Sequence, residues 1–173
     1  MQETLSLTTT SYIVLGLVEH SGRATPYELK QLVATSVGNF WSIPHSQLYT
    51  EPERLVGGGF LDREQEPGGR RRKRYALTDS GRAALARWRV EPGAAELPEL
   101  RDPALLRLFF GADPTTFAAG QRDAHAEKLA AYERQASEDP GDGPRGPWRA
   151  LRAGLAHERE WVRFWEELAR GEG

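Results

Sequence analysis

GGRRRKRYALTDSG, residues 68–81, decides how this chain folds. Gly68 and Gly69 follow Pro67, a composition that reverses the chain direction. The basic run Arg70, Arg71, Arg72, Lys73 and Arg74 leads into a returning strand, Arg72–Leu77, where Tyr75 and Leu77 share one face at the two-residue period of β structure. Its partner is the extended segment Phe60–Glu66. Thr78 can then cap a helix, DSGRAALARWRV, with Ala84, Leu85 and Trp88 as core candidates. A hairpin this short is marginal alone and must pack on helices.

Those helices lie upstream. The third runs between Pro44 and Val56 with Leu48 and Leu55 inward, and ends against Gly57-Gly58-Gly59, which sustains helix poorly. Pro52 inside it removes an N–H donor and predicts a bend or a shorter element. The second helix has a complete start signal in TPYE: Thr25 as cap, Pro26 at the first position and Glu28 closing a capping box. Its expected buried stripe is Leu29, Leu32, Val33, Val37 and Phe40. The first begins near Thr8–Thr10 and runs through SYIVLGLVEH, so apolar that it needs partners on more than one side, its own core and a second subunit. Helix, helix, helix, hairpin, helix over residues 1–90 predicts a mainly α fold with an N-terminal winged helix-turn-helix and a two-stranded wing.

Downstream, residues 91–101 form a Pro- and Gly-containing connection. Asp102-Pro103 and Asp113-Pro114 each pair a carboxylate cap with proline at the first helical position. They predict a short apolar helix, ALLRLFF, and a long one to about Ser137 that carries His125, Leu129, Tyr132 and Ala136 along one side. After a second linker, a final helix spans Trp148–Ala169 with Trp148, Leu151, Leu155, Trp161, Val162, Trp165 and Leu168 on its apolar side. Residues 100–170 therefore predict a helical dimerisation region, with a self-contained monomeric hairpin as the alternative. Trp88, Phe109, Phe110, Tyr132, Trp148, Trp161 and Trp165 either fill the core or frame a pocket for a small hydrophobic effector near the subunit interface.

Charge separates the two halves. Residues 1–90 hold 12 Lys or Arg against 9 Asp or Glu, net +3; residues 91–173 hold 11 against 16, net −5. A polyanion partner at the front end follows from that asymmetry and from the placement of the basic run. Contacts from Arg70–Arg74 to phosphates or to the minor groove would position the protein, while His45, Ser46, Gln47, Tyr49, Thr50 and Arg54, at the start and outer face of the third helix, would read bases. Glu51 and Glu53 oppose phosphate and are expected to turn away from it or toward Arg54. The alternative is a winged-helix module that presents the same basic wing to an acidic protein or RNA.

Other classes fit poorly. The chain has no cysteine, and its four histidines, at 20, 45, 125 and 157, show no metal-ligand spacing. Neither glycine cluster matches a phosphate-binding loop, so no enzyme, cofactor or metal is expected. No apolar run approaches the ~20 residues of a membrane span. MQETLSLTTTSY lacks the flank of a secretory signal, which makes the cytoplasm the expected address.

The stretches YIVLGLVEHSGRATPYELKQLV, FWSIPHSQLYTEPERLVGGGFL and GRRRKRYALTDSGRAALARW, in that order, closely resemble the PadR family of transcriptional regulators. RDPALLRLFF and the Trp-rich last helix resemble it more loosely. The resemblance implies a dimeric DNA-binding regulator, commonly a repressor, whose C-terminal helices mediate dimerisation and which can respond to small phenolic or other hydrophobic molecules. The family pattern carries over to Tyr27, Glu28 and Leu29, to Leu48, Tyr49, Arg54 and Leu55, and to Tyr75, Leu77, Thr78 and Gly81. Pro26 and Thr50 stand where many members have Gly and Pro, a departure that affects transferred base contacts rather than the fold.

Overall fold

Helix α1 (Thr9–Ser21) starts where Thr8 and Ser11 exchange side-chain and backbone hydrogen bonds, and stops at Gly22, whose φ of 72° suits a residue without Cβ. In the computed structural model, which describes residues 5–65, 73–93, 97–138 and 145–172, the chain forms two units, Met1–Ala95 and Glu96–Gly173.

The first unit continues with α2 (Pro26–Thr35), whose Thr25–Glu28 capping box is present in full. A short 3-10 turn, Val37–Asn39, leads toward α3 (Gln47–Gly57). Strands β1 (Leu61–Gln65) and β2 (Lys73–Leu77) pair antiparallel, Leu61 opposite Leu77 and Gln65 opposite Lys73. Helix α4 (Asp79–Val90) follows directly, with Thr78 accepting from the Gly81 N–H. The unit is thus a mainly α winged helix-turn-helix with a small hairpin.

Val14, Leu15, Val18, Leu29, Leu48, Leu55, Leu61, Tyr75 and Leu85 fill one core. Helix α1 contributes more of it than any other element, which is why its sequence has so little polar surface. Pro52 is tolerated inside α3 because it faces inward and is fully buried. Two expected core residues lie outside. Helix α2 stops at Thr35, so Phe40 leaves the helical stripe and is 67% exposed. Trp88 is 44% exposed and lies flat on Tyr12, ring centroids 4.9 Å apart, covering the α1–α4 contact from outside.

The second unit comprises α5 (Pro103–Phe109), a 3-10 turn at Pro114–Thr116, α6 (Ala118–Ser137) and α7 (Arg145–Ala169). Asp102 caps α5 as its sequence predicts. Asp113-Pro114 starts only the 3-10 turn, and the long helix resumes after Phe117, whose ring packs edge-on against Trp165. Helices α6 and α7 pack along their lengths, and Gly154 makes room for the Tyr132 ring: a Cβ there would sit 2.8 Å from Tyr132 Cε2. Among the described residues no helix is long and apolar enough to cross a membrane.

Candidate nucleic-acid interface

The outer surface of α3 begins before the helix does. His45, Ser46, Gln47, Tyr49 and Thr50 are all exposed, while Leu48, Pro52 and Leu55 point inward. Ser46 makes no side-chain cap, so its hydroxyl is not engaged at the helix start. Thr50 Oγ1 donates to the Ser46 carbonyl at 3.2 Å and keeps its lone pairs for an incoming donor. Tyr49 is half-exposed, and its ring lies outside the core.

The wing is fastened to this surface at two places. Ala24, just before α2, exchanges backbone hydrogen bonds with Tyr75 of β2 at 3.0 and 2.9 Å. Glu53 of α3 forms the second anchor. Its carboxylate accepts from the Tyr75 hydroxyl (2.7 Å), from Lys73 Nζ (2.7 Å) and from Arg63 Nη1 (2.9 Å), so one α3 side chain holds both strands. Bonds from Lys73 and Tyr75 hold the Glu53 carboxyl below its ordinary range. Burial, reinforced by the acceptor carboxylate, pushes the Tyr75 phenol well above its own.

These anchors bring α2, α3 and β2 around one cleft. Thr25, Tyr27 and Glu28 at the start of α2, Gln31 one turn on, Tyr49 of α3, and Lys73 and Arg74 of β2 line it, with Glu28 3.9 Å from the Arg74 guanidinium. An adjoining groove is lined by Tyr27, Gln31, Trp41 and His45. Tyr27 and Gln31, joined by a 2.8 Å hydrogen bond, belong to both, so His45, Tyr49, Lys73 and Arg74 border one continuous surface. Cations at one end and mixed donors and acceptors at the other can receive a phosphodiester backbone and the edges of bases respectively.

Arg54 departs from its expected place among the readers. Its Nε and Nη2 donate to Glu51 at 2.8 and 2.7 Å, Nη2 also to Ser11 Oγ at 2.8 Å, and Nη1 to the Ser6 carbonyl at 3.0 Å. The guanidinium thus closes an internal clamp between α3 and the segment leading into α1. Burial pushes the Glu51 carboxyl up, but the bonds from Arg54 and Ser11 outweigh it and leave it lowered. Both acidic residues of α3 therefore turn toward the protein: Glu51 to Arg54 and Glu53 to the wing. Lys73 and Arg74 are described, whereas Arg70, Arg71 and Arg72 lie outside the described residues.

Reading residue types along the sequence did not single out Tyr27, Gln31 or Glu53 for this surface. The four-residue spacing of Tyr27 and Gln31 on a capped helix was visible; the strands that bring Lys73 and Arg63 to Glu53 were not.

The aromatic residues considered for an effector pocket are divided. Trp88 belongs to the first unit. In the second, Trp165 is fully buried among Phe117, Trp161 and Phe164, and Tyr132 packs on Gly154. Trp148 is half-buried beside Arg145, and Phe109 and Phe110 are largely exposed at the end of α5. A polar feature the sequence did not reveal lies between α6 and α7: buried Glu158 meets His125 Nδ1 at 2.6 Å and Lys128 Nζ at 3.4 Å, with His125 stacked on Trp161.

Comparison with known proteins agrees with the fold and with the order of its parts. Residues 14–87 match the transcriptional regulator PadR-like family, and residues 100–170 match the virulence activator alpha C-terminal family. The chain is 32% identical over 102 residues to the negative transcriptional regulator PadR of Bacillus subtilis, a match covering 57% of this chain and 54% of that protein. It thus spans about half the length of that curated relative. A crystal structure of Bacillus subtilis PadR in complex with operator DNA superposes with a TM-score of 0.81 at 24% identity, covering 96% of this chain and all of the other. One of the same protein in complex with p-coumaric acid gives 0.73 at 24% identity, covering 95% and 99%. At that identity the structural likeness speaks for the fold, while the two matched segments account for most of each unit. Over residues 14–87 the chain is thus similar to the PadR-like family of transcriptional regulators, and as a whole it has the fold of Bacillus subtilis PadR.

Proposed function

We propose that the chain is a sequence-specific double-stranded DNA-binding regulator, a repressor that acts as a homodimer in the cytoplasm. The observation that carries this reading is the continuous surface on which the polar start of α3 and the basic residues of β2 border the same cleft. His45, Ser46, Gln47, Tyr49 and Thr50 enter the major groove and read base edges. Lys73 and Arg74, together with Arg70, Arg71 and Arg72, meet phosphates or the adjacent minor groove. Arg54 is not among the readers, because its donors are engaged within the protein. The Bacillus subtilis PadR complex with operator DNA supports the assignment by analogy.

Self-association follows from the need to engage two half-sites at once. Exposed Phe109 and Phe110 are candidate contacts for a second copy. Release by a small hydrophobic or phenolic effector, supported by the p-coumaric acid complex of the Bacillus protein, requires that the ligand bind the low-affinity conformation better. Within the second unit Phe109, Phe110 and Trp148 are the candidates with accessible rings, and Tyr132, Trp161 and Trp165 contribute from the packed side; Trp88 belongs to the first unit.

The test is a salt titration of purified protein on a duplex carrying a two-fold symmetric site selected from the DNA upstream of its own gene, beside scrambled duplex and RNA of equal length. Preference for the symmetric duplex, weakening as salt rises, supports the reading. Equal binding to RNA or to an acidic protein would favour the winged-helix interaction module instead.

A further inference from the structure

The DNA reading assigns base contacts to residues of α3, yet one of them is held from outside the helix. Gln47, Glu51 and Arg54 occupy one stripe of α3 at spacings of four and three, and all three engage the first turn of α1 or the segment before it. Ser11 Oγ donates to Glu51 Oε1 at 2.7 Å, and Arg54 bonds both partners, closing the buried end of this stripe. At its exposed end Thr10 Oγ1 donates to Gln47 Oε1 at 3.1 Å. The two lower rungs fix where α3 lies against α1. The upper rung acts on a side chain that stands among the proposed readers.

We propose that Thr10 is a positioning residue for sequence choice, acting through Gln47. A glutamine that reads adenine uses both arms of its amide, accepting with Oε1 and donating with Nε2. Here the oxygen arm is drawn back to α1, and Nε2 is the arm left for the groove. Gln47 then acts chiefly as a donor and favours guanine, whose O6 and N7 both accept, over adenine, whose N6 amino group requires the oxygen arm. Choice at that base pair depends on a hydroxyl that touches no DNA.

The inference rests on the DNA-binding reading, and its test separates the two. Purified full-length protein selects from duplexes with a randomised 20-base-pair centre, and the enriched pools are sequenced for wild type, Thr10→Val, Thr10→Ser, Gln47→Ala and Thr10→Val/Gln47→Ala. Gln47→Ala identifies the base pair that Gln47 reads. At that pair we expect wild type and Thr10→Ser to enrich G·C, and Thr10→Val to lose the preference at least threefold or shift it toward A·T. Thr10→Val should change nothing further in the Gln47→Ala background and should leave affinity for random duplex intact. An unchanged Thr10→Val preference, a change confined to base pairs that Gln47→Ala leaves alone, or an equal loss on random duplex overturns the proposal. Failure of wild type to enrich any motif overturns the DNA reading itself.

Discussion

Replacing Glu53 with Gln should weaken the fold and strengthen DNA binding together, an uncommon pairing of signs that follows from where this carboxylate sits. Glu53 accepts from buried Tyr75 and from two half-exposed cations, Arg63 and Lys73. The two surface pairs contribute about 0.5 kcal/mol each once solvent screening is considered. A hydrogen bond to a charged group contributes about 1.5–3 kcal/mol, but glutamine keeps a carbonyl acceptor, so about 1 kcal/mol of the Tyr75 bond is lost. Together these terms amount to about 2 kcal/mol, or roughly a 30-fold smaller folding constant. The same change releases Lys73 from its internal anion. Lys73, whose charge Glu53 partly offsets in the wild type, then neutralises its phosphate in full, and the slope of log affinity against log salt steepens by up to about 0.9 per subunit. Urea unfolding at fixed protein concentration and fluorescence anisotropy on a labelled duplex between 50 and 200 mM salt (roughly the range over which such slopes develop) read the two effects. Tyr75→Phe supplies the control: it loses the hydroxyl bond and some stability but keeps the Lys73 pair, so the slope should not move. Stability within 0.5 kcal/mol of wild type (about the scatter of neutral surface changes), or a shallower slope for Glu53→Gln, would refute the role assigned to this carboxylate.

Other expectations bear on separate parts of the molecule. Gly81→Ala would gain helix propensity, but the position is buried and its Cβ would sit 2.2 Å from the Phe60 carbonyl oxygen, so we expect a net loss of about 1–3 kcal/mol in urea unfolding; a stabilised variant would contradict the packing. Glu51 and Glu53 both have lowered folded-state pKa values, so their stabilisation is present above the ordinary glutamate pKa of about 4.3 and is lost as pH falls below it through the folded values. The acid side of the stability profile should therefore flatten in Glu51→Gln/Glu53→Gln, and an identical profile would count against those bonds. Glu158→Ala leaves His125 and Lys128 without their shared carboxylate, and about 3 kcal/mol of stability should go, the low end for a broken buried pair because Lys128 reaches solvent. An unmoved urea midpoint would show that the cluster contributes little.

The parts of this fold legible in the sequence are those set by neighbours in the chain. Thr25-Pro26-Glu28 and Thr78 specify helix starts through contacts three residues long, and the alternation of Tyr75 and Leu77 specifies a strand face. Asp113-Pro114 shows the limit of such signals, since the same pair supports a 3-10 turn when Phe117 is drawn into the core of its unit. Burial is less local: Trp88 reads as core by residue type and lies outside because Tyr12 meets it there. The surface proposed for DNA divides the same way. Exposure of Gln47, Tyr49 and Thr50 around buried Leu48 follows from the periodicity of α3. The engagement of Arg54 with Ser11, 43 residues earlier, exists only once α1 and α3 pack, and residue type alone reads it as a base contact.

DNA recognition by this surface requires α3 and the wing to meet one duplex. Because the chain has no cysteine, Ser46→Cys and Gln65→Cys each place a single thiol, at the start of α3 and at the end of β1, for attachment of an iron chelate that cleaves nearby DNA. On an end-labelled duplex carrying a two-fold symmetric site, both probes should cut the same fragment, with their cuts offset by less than about one helical turn of 10 base pairs and repeated about the two-fold axis. Cleavage from Ser46→Cys without any from Gln65→Cys above free chelate would place the wing away from the duplex and contradict the assignment.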